Sequence, residues 1–294
     1  MPQSATPAAS SRAPLAFLSL FAISLAISRP LHHTLALAWS DDRYTHILLI
    51  LPIVAALTFM DWRDILDFAV PQNPSSRRQR SLALSSFSLL AALAAWERLG
   101  AVSSLSLTAR MLGLVFFWIV AVLICFGATG LRTLLFPALF SFWLVPLPST
   151  VVDRIVTLLQ IGSAWAAEGL FWMARVPVTR ENIVLYIPGV EIEVASECSS
   201  IRSSMILIVM TMLLAQLLLR SPWRKFIVIA AAVPLSIAKN GLRIFVIAML
   251  GTRVDESYWT GSFHHHGGVV FLIIALAATI FLIWILRRGE ARSA

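Results

Sequence analysis

The chain has 294 residues, 59% of them apolar and only 13% charged. Soluble domains carry about 25% charged residues, so this composition, with a mean hydropathy of +0.83, excludes an ordinary water-soluble enzyme and a disordered or fibrous chain. The net charge is +8. In so apolar a chain that excess reports membrane topology, not nucleic-acid binding. Cys125 and Cys198 are the two cysteines, and their surroundings argue against a disulfide.

Crossing the hydrocarbon core as a helix takes about 20 apolar residues. Residues 1–12 read as a disordered tail, 13–288 as a single transmembrane domain and 289–294 as a cytoplasmic tail. Eight spans are predicted, near 14–29, 45–60, 82–97, 110–128, 131–147, 200–219, 225–250 and 267–286. No small-residue cleavage site precedes Arg29-Pro30, so the first run reads as a span and not a removed leader. The runs lack the period-two alternation of an outer-membrane barrel. The expected fold class is therefore an all-α polytopic membrane protein.

Basic clusters orient the spans: Arg77, Arg78 and Arg80, then Arg220, Arg224 and Lys225, then Arg287, Arg288 and Arg292. With all three clusters and both termini cytoplasmic, residues 148–199 form an extracytoplasmic insert, and the cytoplasmic side carries the whole +8. Within the insert, 150–175 is helical by period but interrupted by Asp153, Arg154, Gln160, Glu168 and Arg175, which predicts an interfacial or re-entrant helix. Two β-rich runs, 182–187 and 190–194, flank Pro188-Gly189 and predict a hairpin directly before Glu197-Cys198.

Ionisable residues inside spans are costly and usually functional. Cys198 is placed at the N-terminus of span six, in Glu197-Cys-Ser-Ser-Ile-Arg-Ser-Ser204. The helix dipole there favours the thiolate, and Arg202 lies one turn further on. Cys125, in Leu123-Ile-Cys-Phe126, reads as a packing residue. Span seven carries Pro234, expected to kink it, and then Lys239-Asn-Gly-Leu-Arg-Ile244. Asn240 and Arg243 share a face, which makes Arg243 a candidate interior cation for a developing oxyanion. The alternative is that it snorkels to the outer headgroups. His264, His265 and His266 precede Gly267-Gly268; a neutral histidine is a natural proton shuttle for a thiol. No spacing completes a metal site, and no cofactor is expected. Nucleophile, cation and base converge on the outer leaflet and point to thiol chemistry on an acyl group through a thioester.

Taken in this order, these residues resemble the exosortase/archaeosortase family of membrane cysteine transpeptidases. Tyr44-Thr-His-Ile-Leu-Leu-Ile-Leu-Pro52 resembles the family's Ser-His-Gly-Phe-Leu-Val-Leu-Pro stretch, and Phe136-Pro-Ala-Leu-Phe with Val145-Pro-Leu-Pro148 its proline-marked span. Glu197-Cys198-Ser-Ser-Ile-Arg202-Ser resembles its nucleophile motif, Asn240-Gly-Leu-Arg243 its Asn-x-x-Arg, and His264-x-x-Gly-Gly268 its last motif. The resemblance runs over residues 39–271. It implies a catalytic triad of Cys198, Arg243 and His264, with His265 and His266 open as alternatives in register and Arg202, Asn240, Glu197 and His46 as supporting candidates. Ser200 departs from the glycine usual two residues after the cysteine. His46 matches a family histidine and reads equally as an interfacial packing residue.

The resemblance further implies an inner-membrane enzyme. Its substrates would be membrane-anchored proteins with a C-terminal sorting signal (a Pro-Glu-Pro-type motif, a transmembrane helix and a basic tail), transferred to an unidentified cell-surface acceptor. The hairpin is placed to guide the extended motif, by strand addition. Two other readings use the same residues. One is a cysteine acyltransferase acting on lipid. The other is a transport component of polysaccharide export, which would distribute polar residues through the full membrane depth.

Overall fold

The computed structural model describes residues 12–69, 76–102, 106–194, 201–255 and 262–293. The chain folds into two compact units, Met1–Pro148 and Ser149–Ala294. The division falls where the sequence predicts the start of the insert.

The first unit contains α1 (Arg12–Ile27), α2 (Arg29–Ser40), a 3-10 turn (Asp42–Tyr44), α3 (Ile47–Met60), α4 (Trp62–Ala69), α5 (Ser76–Val102), α6 (Leu107–Thr133), α7 (Leu135–Phe140) and a second 3-10 turn (Ser141–Leu144). The span expected at 14–29 ends early, and α2 follows it at a 63° bend. Ser28 sits at the break and accepts from the Leu31 backbone N–H as N-cap, with proline in the first turn, a start signal that needs no tertiary help. The run expected to cross at 131–147 is divided. Helix α6 kinks at Gly127, φ 70°, and ends at Thr133 with Leu134 as its C-cap, and the remainder is a short apolar helical stretch, Leu135–Leu144. The proline-rich segment after it leaves carbonyls with no helical partner. Tyr44 Oη donates to the Leu147 carbonyl at 3.0 Å, and Thr108 Oγ1 to that of Pro146 at 2.7 Å. Between α1 and α6, Trp118 Nε1 donates to Ser24 Oγ at 2.8 Å.

The second unit contains α8 (Ser149–Met173), β1 (Thr179–Glu181), β2 (Val184–Ile187), β3 (Val190–Glu193), α9 (Ile201–Leu218), α10 (Pro222–Arg253) and α11 (Ser262–Ser293). The predicted hairpin is β2–β3, with Ile187 opposite Val190 and Gly189 at φ 85° in the turn. β1 adds an unforeseen third antiparallel strand, making the order β1-β2-β3. The chain leaves β1 for β2 through Asn182 at φ 56°, a left-handed conformation asparagine tolerates. The inner face of the sheet packs Leu185, Ile187, Val190 and Ile192 with Ala164, Ala167 and Phe171 of α8 and Ile244 and Ala248 of α10.

Helix α8, whose charges indicate an interfacial or re-entrant helix, runs for 25 residues and is long and apolar enough to cross a membrane. Two of those interruptions are satisfied by neighbours. Glu168 accepts from Arg180 Nε at 2.6 Å, and Arg180 also lies over the Trp165 ring. Gln160 is bonded to the strand end described below. Helix α10 continues unbroken through Pro234. Among the described residues six helices have the length and hydropathy of a span, or seven if α1 and α2 count as one. The chain is thus an all-α polytopic membrane protein.

At one end of this unit the basic clusters come together. Glu290 Oε1 accepts from the Ser221 N–H at 2.8 Å, Arg224 Nη1 donates to the Leu286 carbonyl at 2.9 Å, and Arg288 stacks on Trp284. Helices α8 and α10 meet closely at Gly241, where an added Cβ would lie 2.5 Å from Ala166 Cβ and 3.0 Å from the Ala166 backbone. Gly241→Ala is expected to destabilise the protein by about 1–3 kcal/mol, read as a lower thermal midpoint in detergent. Adding Ala166→Gly should recover only part of the loss, because the backbone contact remains.

Candidate functional site

Ser236, Lys239, Asn240 and Arg243 recur at spacings of three and four residues, which places them on one face of α10. All four are buried, Lys239 at 5%, Asn240 at 1% and Arg243 at 9% exposure. Burying such groups without hydrogen bonds would cost several kcal/mol each, of order 2–7 for a neutral polar group, and neighbouring helices supply the partners. Asn240 Nδ2 donates to Ser163 Oγ of α8 at 2.9 Å. Ser236 donates to Ser204 of α9, and Lys239 to Ser203 of α9. Asn240 Oδ1 is buried without a hydrogen-bond partner. Arg243 therefore belongs to the helical interior and does not snorkel.

Helix α9 opens on the same polar layer. Ile201 and Ser204 are buried and Arg202 is exposed, so Arg202 stands apart from the buried cations of α10. Glu197, Cys198 and Ser200 lie outside the described residues, just ahead of Ile201. His264, His265 and His266 occupy the first turn of α11, where the backbone alone is described.

The chain leading to Cys198 is held in place. Gln160 Nε2 of α8 donates to the Val194 carbonyl at 2.8 Å, and the Val194 N–H donates to the Ile183 carbonyl at 3.0 Å. The residue that closes the sheet is thus tied to both a helix and a strand, four positions before Cys198. The outward face of the sheet is acidic. Glu191 stands opposite Tyr186, Glu193 opposite Val184 and Glu181 opposite Val184 on the other side. The Glu191 carboxylate, with some burial and Glu181, pushes the Tyr186 phenol above its usual pKa.

His46 falls in the first unit, at the start of α3. It is buried, its ring meets Trp143 edge-on at 5.9 Å, and Nδ1 has no hydrogen-bond partner. Packing is its visible role. Cys125 is buried in α6, as its local sequence implied. Among the described residues no group of three or more His, Cys, Asp or Glu is placed to hold a metal ion.

Sequence reasoning singled out Asn240 and Arg243 and passed over Lys239, Ser163, Ser203, Ser204, Ser236 and Gln160. The signal was present in part. The 236-239-240-243 spacing alone marks a polar stripe, and Ser203-Ser204 is the only hydroxyl pair early in α9. Which serine meets which α10 residue depends on helix packing, and no sequence pattern encodes that.

Compared with known families, the chain matches the family model described as transmembrane exosortase over residues 38–281. Comparison with curated proteins and with solved structures finds no match.

Gln160→Ala removes the side chain that anchors Val194. Amide hydrogen exchange at Val194 and the residues after it is expected to rise about 5–10-fold, the equivalent of one net hydrogen bond of about 1 kcal/mol. The helical amides of α8 should be unchanged, measured by mass spectrometry in detergent.

Proposed function

The chain belongs to the transmembrane exosortase family, and from that premise we propose that it is a cysteine transpeptidase. It cleaves a C-terminal sorting signal of the Pro-Glu-Pro type and transfers the processed protein to a cell-surface acceptor. The observation that carries this reading is the buried stripe of α10, which holds Arg243 inside the bundle, one turn beyond the bond from Lys239 to Ser203 of the helix that follows Cys198.

In the proposed mechanism the Cys198 thiolate attacks the scissile carbonyl carbon, and the negative charge moves from sulfur to the carbonyl oxygen. Arg243 stabilises that oxyanion, a contribution of about 2.7–4 kcal/mol in comparable sites. Collapse of the intermediate breaks the C–N bond, His264 gives a proton to the leaving amine, and the acyl group stays on sulfur as a thioester. An acceptor amine, or water, then attacks the thioester, returns the proton to His264 and releases Cys198. His265 or His266 takes the histidine role if the register shifts. Asn240 and Glu197 have supporting positions, and Arg202 favours the thiolate.

The site faces the extracytoplasmic leaflet of the inner membrane in this reading. Helix α10 supports it: Pro222, beside Arg224 and Lys225, and Arg243 are separated by about 30 Å at 1.5 Å per residue, one hydrocarbon thickness. With the basic end cytoplasmic, both termini are cytoplasmic. The extended sorting motif adds to the sheet as a further strand along β3. In a two-residue hairpin closed by Ile187 and Val190, and with Val194 bonded to Ile183, the N–H and C=O of Glu191 and Glu193 turn away from β2. They are available to an incoming backbone.

Cys198→Ala is expected to leave full-length, signal-bearing substrate in the membrane at normal enzyme level, judged by immunoblot. Arg243→Ala should reduce processing by at least about 100-fold. Mass spectrometry of the acid-quenched wild-type enzyme should find a peptide thioester on Cys198. A fatty acyl group there would assign lipid acylation instead, and normal processing by Cys198→Ala would remove the nucleophile assignment.

A further inference from the structure

Lys239 is a second buried cation, one turn from Arg243 on the same face of α10. Like charges so close in an apolar layer repel, and an ionised group held out of water needs an anion or a full set of hydrogen bonds. Lys239 has three N–H donors. Among the described residues Ser203 takes one, and no carboxylate pairs with it. Beside it, Asn240 Oδ1 is an acceptor with no donor among the described residues. The two groups together lack an anion and an N–H, the two things that a peptide with an acidic side chain brings.

Charge balance in the proposed reaction leads to the same place. One negative charge is present up to the collapse of the intermediate; it begins on the Cys198 sulfur and moves to the oxyanion, and Arg243 serves it. The charge on Lys239 is left over. Resting on the proposed peptide chemistry, we infer that Lys239 is the specificity determinant of this site: it receives a carboxylate side chain of the substrate segment that lies next to the scissile bond, while Asn240 Oδ1 accepts a backbone N–H of that same segment. Ser203 holds the Lys239 ammonium toward α9, on the side from which the Cys198 segment enters, and Ser163 holds the Asn240 amide so that Oδ1 remains open. Lys239 is not asked to take part in bond making; it selects and registers the substrate.

The test measures binding and turnover separately. Full-length Cys198→Ala protein in detergent is titrated with anchored substrate peptides in which each acidic residue of the extracytoplasmic segment is changed in turn to its amide. One change is expected to weaken binding about 10–100-fold, the range of a desolvated charge-assisted hydrogen bond. Lys239→Gln in the same background should weaken binding of the acidic substrate to the same extent, with no further loss on combining the two changes. Lys239→Arg should retain most of the affinity, and Lys239→Glu should bind best a substrate with lysine at the sensitive position. In the Cys198-containing enzyme Lys239→Gln should raise KM with little change in kcat.

Equal binding of all the amide-substituted substrates to the parent protein overturns the inference without using any Lys239 variant. So does a Lys239→Gln loss that is the same for acidic and acid-free substrates. Restoration of the Lys239→Gln loss by Glu197→Gln, with substrate discrimination unchanged, also overturns it by making Glu197 the internal counter-ion. None of these results depends on turnover, so failure of the peptidase reading, seen as processing by Cys198→Ala, is recorded separately.

Discussion

Hydrocarbon offers no hydrogen bond, so a polar group carried into the bundle must find its partner on a neighbouring helix. Helix α10 carries four of them, and the second unit is arranged around their satisfaction. Ser163 on α8 and Ser203 and Ser204 on α9 are the answering groups. They set the rotation of both helices about α10. The close approach at Gly241 sets the separation. Once those are set, the C-terminal halves of α8 and α10 form the apolar floor on which the sheet rests, and the sheet in turn fixes Val194. The position of the chain entering the Cys198 segment is therefore a consequence of where the serines sit on α8 and α9.

Much of this is legible without coordinates. The long apolar runs mark the helices, and the alternation around Pro188-Gly189 marks the β2–β3 hairpin. The shared face of Asn240 and Arg243 marks an interior polar stripe. The failures have identifiable physical causes. Charges in 149–173 were weighed as costs of insertion, yet Glu168 and Gln160 have their partners in the sheet, and a partner remote in sequence cannot be counted from the helix alone. The run 131–147 has the composition of a span and lacks its continuity, because one helix ends at Thr133, the next begins at Leu135 and tightens to a 3-10 turn at Ser141–Leu144, and in the proline segment that follows Thr108 and Tyr44 satisfy the Pro146 and Leu147 carbonyls. Thr179–Glu181 has no β-branched run and becomes a strand through pairing with β2. Lys239 looked like one more charge in a motif because its bond to Ser203 spans two helices.

The two ends of α10 divide the labour of the second unit. Its start, with the turn from α9 and the last turns of α11, gathers Arg220, Ser221 and Arg224 around Glu290. Its far half gathers the buried stripe. A single unbroken helix thus joins a cationic end to a buried polar layer. Pro234 stands between them without interrupting it, and the missing backbone donor there costs the helix one bond.

The sheet has one further consequence. Among the described residues strand β3 is an edge, and an unpaired edge in a crowded membrane is an invitation to join a second copy. In an antiparallel pairing centred on Ile192, Glu191 of one copy would oppose Glu193 of the other. In a parallel pairing in register, each glutamate would oppose itself. Directly opposed like charges are unfavourable in a sheet, so the same two glutamates that leave backbone groups open to a visiting strand keep the protein from polymerising through its own edge.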